Sequence, residues 1–165
     1  MATLDNLSIN DVYYTKKETW EDILNYLDPN KVYLDPFYGN GDNIQNLKEL
    51  GLNCIGYDID YFDALDNLTY DIILTNSPFS RNILIEFLYN LSAINKPFII
   101  ILPITKIFSK YFKLAFPQYK NIQLIIPKSR MSFIDPNSNK KSNPSFCCAY
   151  ITYKLNLPSD IIFLN

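Results

Sequence analysis

The apolar positions of the chain fall into helical and strand-like segments that alternate. Trp20, Ile23, Leu24 and Leu27 recur at helical spacing behind Thr15-Lys16-Lys17-Glu18, a Ser/Thr-x-x-Glu capping box. They predict a first helix over 16–27, ended by Pro29. Val32-Tyr33-Leu34 reads as a buried strand. Past the polar stretch 35–42, Ile44, Leu47 and Leu50 mark one face of a second helix, stopped at Gly51. A strand follows at 52–57, another at 71–75, and a helix over 81–91. The run 97–102 is intensely apolar, as buried parallel strands are, and a further helix spans 106–114. After Pro117 the pattern turns strand-like at 122–126, 131–134 and 146–153, with a polar loop at 135–145.

Strands alternating with helices and closed by a β-rich segment predict one three-layer α/β/α domain over 1–165 with a mainly parallel sheet. The stretch between Asp58 and Asp71 is too short for a full helix and strand, so one βα unit is expected to be abbreviated. No repeat or linker interrupts the pattern.

Composition narrows the chemistry. The 165 residues include no histidine, which removes Ser-His-Asp hydrolysis, histidine proton shuttling and His-ligated zinc, and no metal site is expected. Cys54, Cys147 and Cys148 show neither metal-ligand spacing nor a disulfide framework, and are expected in the core of a protein from a reducing compartment. The amino terminus lacks a basic-then-apolar signal pattern, and the longest apolar run cannot span a bilayer. A soluble, cytoplasmic protein that makes no membrane contact is expected.

The formal net charge of -2 conceals a division. Residues 1–95 carry 15 acidic and five basic side chains, whereas 96–165 carry ten basic ones against Asp135 and Asp160 alone. A basic half suits a surface that meets phosphates. Thirteen Lys against two Arg, with 19 Asn and 22 Ile, also fits the coding bias of an A+T-rich genome such as that of a virus or phage, so the asymmetry supports a nucleic-acid partner without deciding it.

Two segments carry candidate chemistry. Asp35-Pro36-Phe37-Tyr38-Gly39-Asn40-Gly41-Asp42 joins a strand to a helix, and its glycines allow backbone amides close to a ligand at the helix amino terminus. An ordinary tight turn accounts for two glycines as well. The next strand ends in Tyr57-Asp58-Ile59-Asp60, which sets a carboxylate about 20 residues on, where a ribose is held in dinucleotide folds. The second segment, Asp71-Ile72-Ile73-Leu74-Thr75-Asn76-Ser77-Pro78-Phe79, delivers an amide, a proline and an aromatic ring to a strand end.

Together these segments resemble the class I, S-adenosylmethionine-dependent adenine N6-methyltransferases, whose signature (Asn/Asp)-Pro-Pro-(Tyr/Phe) is matched by Asn76-Ser77-Pro78-Phe79. Tyr14-Thr15 resembles the family's amino-terminal Tyr-Thr-Pro segment. Arg130-Met131-Ser132-Phe133-Ile134, Asn143-Pro144-Ser145-Phe146 and the strand after it resemble the tail of compact phage and viral DNA adenine methyltransferases. The resemblance implies a Rossmann-like class I fold with an antiparallel carboxyl-terminal strand. It implies that Asp35, Pro36 and Gly39-Asn40-Gly41 hold the methionine end of the cofactor, Asp58 its ribose and Ile59 its adenine. Thr15 and Asp63 are further cofactor candidates; a helix cap accounts for Thr15 equally, and a plain surface carboxylate accounts for Asp63 better.

The chemistry suits these residue types. An exocyclic adenine amine is a poor nucleophile, and two acceptors, the Asn76 side-chain oxygen and the Ser77 carbonyl, would hold its protons while it attacks a sulfonium methyl. Pro78 stiffens the loop and Phe79 would stack on the base. Ser77 departs from the signature by replacing its first proline. Cytosine C5 methylation needs a cysteine nucleophile after proline and is excluded, whereas cytosine N4 uses the same loop as adenine N6. Lys128, Arg130, Lys140 and Lys141 flank the last strand and are candidate phosphate contacts, with solvated loop lysines as the alternative. No insertion is long enough for a separate target-recognition domain, so selectivity would be modest or would come from a homodimer or a partner subunit. The expected activity is adenine N6 methylation of DNA; the alternatives are RNA as substrate, or a non-catalytic methyltransferase-fold subunit that binds nucleic acid.

Overall fold

A computed structural model describes residues 13–57, 65, 67–135, 137 and 140–165. In chain order the elements are β1 (Tyr14–Thr15), α1 (Lys17–Glu21), β2 (Val32–Asp35), α2 (Asp42–Glu49), β3 (Asn53–Gly56), β4 (Ile72–Asn76), α3 (Arg81–Ile94) and β5 (Phe98–Pro103). They continue with α4 (Lys110–Ala115), β6 (Ile122–Ile126), β7 (Phe133–Ile134), β8 (Lys141–Ser142), β9 (Cys148–Tyr153) and β10 (Ile161–Phe163).

Seven strands form one sheet in the order β10-β6-β9-β5-β4-β2-β3. β9 runs antiparallel to both neighbours, and the remaining pairs are parallel. Every residue of β5 and of β9 is buried, which explains why 97–102 reads as an unbroken apolar run. The chain leaves β2 toward β3 and returns on the other side to β4. With right-handed crossovers, this reversal puts α2 and α3 on opposite faces of the sheet. α1 packs on α2 and α4 on α3, completing the three layers. The reversal also opens a crevice at the carboxyl ends of β2 and β4, where open α/β sheets hold ligands.

β3 is the sheet edge, and β4 is the next strand along the chain among the described residues. A second, three-stranded ribbon, β1-β7-β8, is wholly antiparallel. Its strands have two residues each; β7 falls within the run expected over 131–134, whereas β1 and β8 are too short for a periodic signal.

Several local expectations are corrected. The capping box does not form: Lys16 is the N-cap of α1 with no side-chain cap bond, and Thr15 is instead paired in β1 with Phe133. The helix expected over 16–27 divides into α1 and a 3-10 turn at Leu24–Tyr26, where the chain tightens ahead of Pro29. The helix expected over 106–114 likewise divides. A 3-10 segment, Ile104–Phe108, ends at Ser109, which takes an extended conformation and caps α4 by accepting the Phe112 N–H at 3.3 Å. Cys54 and Cys148 are buried as expected, but Cys147 is exposed, because it precedes β9 rather than belonging to it. β10 was not expected as a strand; it adds parallel to β6 at the far edge.

Candidate functional site

Asp35 closes β2 at the crevice and is 2% exposed. Its Oδ1 accepts the Thr75 hydroxyl at 2.6 Å and the Phe37 N–H at 3.0 Å. Its Oδ2 accepts the Asn43 side-chain N–H at 2.6 Å, and the Asn43 oxygen in turn accepts the Trp20 indole N–H at 2.6 Å. Pro36 is buried, and the Phe37 ring meets Phe87 of α3 edge-on at 4.9 Å. The loop is therefore gripped from both faces of the sheet.

Gly39 and Gly41 take φ of +53° and +84°, a region that side chains resist. A Cβ at Gly41 would lie 2.7 Å from the Tyr38 hydroxyl. Asn40 steadies the turn, its oxygen accepting the Asp42 N–H at 3.1 Å and its amide donating to the Asp42 carboxylate at 2.6 Å. Gly41 is the N-cap of α2 and offers no side-chain cap. A helix amino terminus approached through glycine backbone is an arrangement that accepts a carboxylate or other anionic group.

Asn76 ends β4 across the crevice. Its side-chain nitrogen donates to the Tyr13 carbonyl at 2.9 Å, which orients the amide and leaves its Oδ1 buried with no hydrogen-bond partner among the described residues. Ser77, 2% exposed, directs its hydroxyl to the Ile101 carbonyl of β5 at 3.4 Å. Pro78 is buried. Phe79 packs in a ring cluster with Phe146 at 5.2 Å, Tyr13 at 6.1 Å and Phe133 at 6.4 Å.

The structure thus brings together Asp35, Pro36, Gly39, Asn40 and Gly41 on one side and Asn76, Ser77, Pro78 and Phe79 on the other, joined by the bond between Thr75 and Asp35. Thr15 lies buried in β1, two residues after Tyr13, which touches Asn76 and Phe79. Asp58, Ile59 and Asp63 lie outside the described residues. Lys128, Arg130, Lys140 and Lys141 are all exposed, on β8 and the segments that flank β7 and β8. Arg130 donates to the Pro144 carbonyl, and Lys16 donates to Ser132 at 3.0 Å. Both bonds fasten the ribbon beside the Phe79 cluster.

The sequence reading missed Trp20, Asn43, Thr75 and Tyr13 as site residues. Thr75 was visible as the one hydroxyl in an otherwise apolar strand, and Asn43 as an amide beside the inward-facing Ile44; the Tyr13 contribution is a main-chain carbonyl, which no side-chain pattern reports. No nucleophilic cysteine is present in the crevice among the described residues. Burial pushes the Cys54 and Cys148 thiols up to about 12.

No family model matches the sequence, and no curated protein matches it. Solved structures do. A Listeria monocytogenes protein described as a class I S-adenosylmethionine-dependent methyltransferase superposes with a TM-score of 0.53 at 11% identity, over 89% of this chain and 61% of that one. A Pyrococcus horikoshii protein described as an RNA methyltransferase gives 0.54 at 15% identity, over 93% and 92%. A precorrin-6y C5,15-methyltransferase from Geobacter metallireducens gives 0.51 at 16%, over 93% and 94%. The fold is that of the class I methyltransferases.

Proposed function

We propose that the chain is an S-adenosylmethionine-dependent methyltransferase acting on the N6 amine of adenine in nucleic acid, with DNA as the favoured polymer. The observation that carries this reading is the Asn76 amide, tied at its nitrogen to Tyr13 and bare at its buried oxygen. A buried acceptor without a partner costs about 1–3 kcal/mol, and a site that binds an N–H donor recovers that cost.

The residues present fit the cofactor. The left-handed glycines shape the turn into α2 without side chains of their own, and β3 ends at Gly56 beside Asp35, two residues before Asp58. When bound there, S-adenosylmethionine supplies an electrophilic methyl group. Gly39 and Gly41 would admit its amino-acid end at the amino terminus of α2, and Asp58 would hold the ribose. Asp35 keeps this loop in place. Asn76 Oδ1 and the Ser77 carbonyl accept the two amine protons and draw the nitrogen lone pair out of conjugation toward the methyl. Preorganised acceptors also stabilise the positive charge that develops on the amine, and no histidine is needed. Phe79, with Tyr13 and Phe146 half-buried beside it, forms the apolar wall for a base taken out of its stack. Lys128, Arg130, Lys140 and Lys141 then meet the flanking phosphates.

The Pyrococcus neighbour, described as an RNA methyltransferase, supports RNA as the second candidate polymer. Nucleosides from DNA and RNA pools incubated with the protein and methyl-labelled cofactor are to be resolved by mass spectrometry. N6-methyladenine in the DNA pool is expected; label in N4-methylcytosine or in no nucleoside overturns the assignment. Asn76→Ala should lower transfer by at least 100-fold, the order seen when a preorganised acceptor or donor is removed from such a site, while calorimetry finds cofactor affinity within a few-fold of wild type.

A further inference from the structure

Thr75 and Asn43, which belong to neither the signature nor the glycine loop, are bonded to the same carboxylate. Thr75 precedes Asn76 on β4, is completely buried, and donates to Asp35 Oδ1 at 2.6 Å. Asn43 sits in the first turn of α2, donates to Asp35 Oδ2 at 2.6 Å and accepts the Trp20 indole N–H at 2.6 Å. Asp35 also takes the Phe37 N–H, at the root of the glycine loop. One carboxylate thus joins α1, α2, the cofactor-side loop and the catalytic strand through short bonds in a dry environment, where a shift in any partner is transmitted to the others.

We infer that Thr75 and Asn43 are positioning residues that couple cofactor binding to the placement of Asn76, with the Asp35 carboxylate as the shared acceptor. This rests on the methyltransferase reading and adds to it a claim about communication. The glycine loop and Asn76 lie on neighbouring strands, and Asp35 with Thr75 is the side-chain link between them. A cofactor that orders the loop would therefore also set the strand that carries the amide. Conversely, loss of the Thr75 hydroxyl, which is bonded to Asp35, would be felt on the cofactor side. The two donors should be energetically coupled, because each fixes the carboxylate that the other needs.

The test measures each side of the clamp from the opposite side. Thr75→Val keeps the side-chain volume and removes the hydroxyl, and Thr75→Ser restores it; Asn43→Leu removes the other donor. Calorimetry with S-adenosylmethionine should find affinity reduced about 10-fold in Thr75→Val and restored to within threefold in Thr75→Ser. Single-turnover methyl transfer at saturating cofactor should fall about 10-fold in Asn43→Leu, although Asn43 lies on the cofactor side. The double variant should lose less than the product of the single losses. Urea unfolding of each variant identifies those that are folded; if Thr75→Val is not, Thr75→Ser and Thr75→Ala are compared in its place. Cofactor affinity within twofold of wild type in a folded Thr75→Val, or multiplicative losses in the double variant, overturns the coupling while leaving the methyltransferase reading intact. Wild-type protein that binds no S-adenosylmethionine overturns both.

Discussion

At Asn76 one end of a buried amide is held at 2.9 Å by a main-chain carbonyl, while the other end accepts nothing among the described residues. That asymmetry separates a site from a core: a structural amide would have both ends satisfied. The cysteines and Tyr33 show the opposite case, polar groups kept because they stay neutral. Burial raises Cys54 and Cys148 to about 12 from an ordinary value near 9, and raises Tyr33 to about 12 from near 10. The folded chain therefore retains protons that the unfolded chain has released. Stability from these groups is complete well below the unfolded thiol value near 9, falls as the unfolded thiols ionise, and is lost as the pH climbs toward 12. Urea midpoints should be flat from pH 7 to 8 and fall steadily from pH 9 to 11. The conservative pair Cys54→Ala and Cys148→Ala should flatten that fall, and a slope unchanged in both variants would show that burial of the thiols is not its source.

Among the elements, those that depend on a long apolar pattern were legible in the sequence, and those that depend on partners were not. α3, the buried strand β5 and the half-buried strand β6 appear where their apolar pattern puts them, because burial on a sheet face selects residue type over many positions. The loop and strand end at the crevice were legible in another way: glycines stand where the backbone turns left-handed, at Gly39 and Gly41, and Asn76 stands where β4 ends. Of the β1-β7-β8 ribbon only β7 was legible, inside the strand expected over 131–134; its pairing was not, since that is decided by tertiary contact of Tyr13 and Phe133 with Phe79. Helix breaks were equally hidden. Ser109 interrupts an apolar run that continues on both sides of it, and only its cap reveals why. α4 has six residues, too few to be stable alone, so its start depends on that cap. Ser109→Ala should cost about 1 kcal/mol, which corresponds to a fall of roughly 2–4 °C in Tm for a chain of this size. Thermal unfolding measures it. An unchanged midpoint would mean that packing of α4 on α3 sets the helix start without the cap.

For the whole molecule, the charge division becomes a statement about which cations are free. Among the described residues the ion pairs are Lys17 with Glu49 at 2.9 Å and Lys31 with Asp71 at 3.9 Å, both within the acidic half. None of the ten cations in 96–165 has a carboxylate within ion-pair distance among the described residues. No described helix is long and apolar enough to cross a membrane, so these charges are not explained by a membrane-spanning helix. A codon bias toward Lys would scatter lysines over both halves, yet only four of the thirteen in the chain, Lys16, Lys17, Lys31 and Lys48, lie in 1–95. Unpaired cations beside the Phe79 cluster are what a polyanion would require, and counterion release gives that idea a number. Each phosphate neutralised on duplex DNA contributes about 0.9 to the slope of log K against log salt. Lys128→Gln, Lys140→Gln and Lys141→Gln combined should therefore reduce the measured slope by about 2–3 and weaken binding to all sequences alike, without altering cofactor affinity. Fluorescence anisotropy of a labelled duplex across a salt series reads both quantities. A triple variant that keeps the wild-type slope would place the phosphate contacts elsewhere in the basic half, with the Lys106, Lys110 and Lys113 series around α4 as the next surface to neutralise.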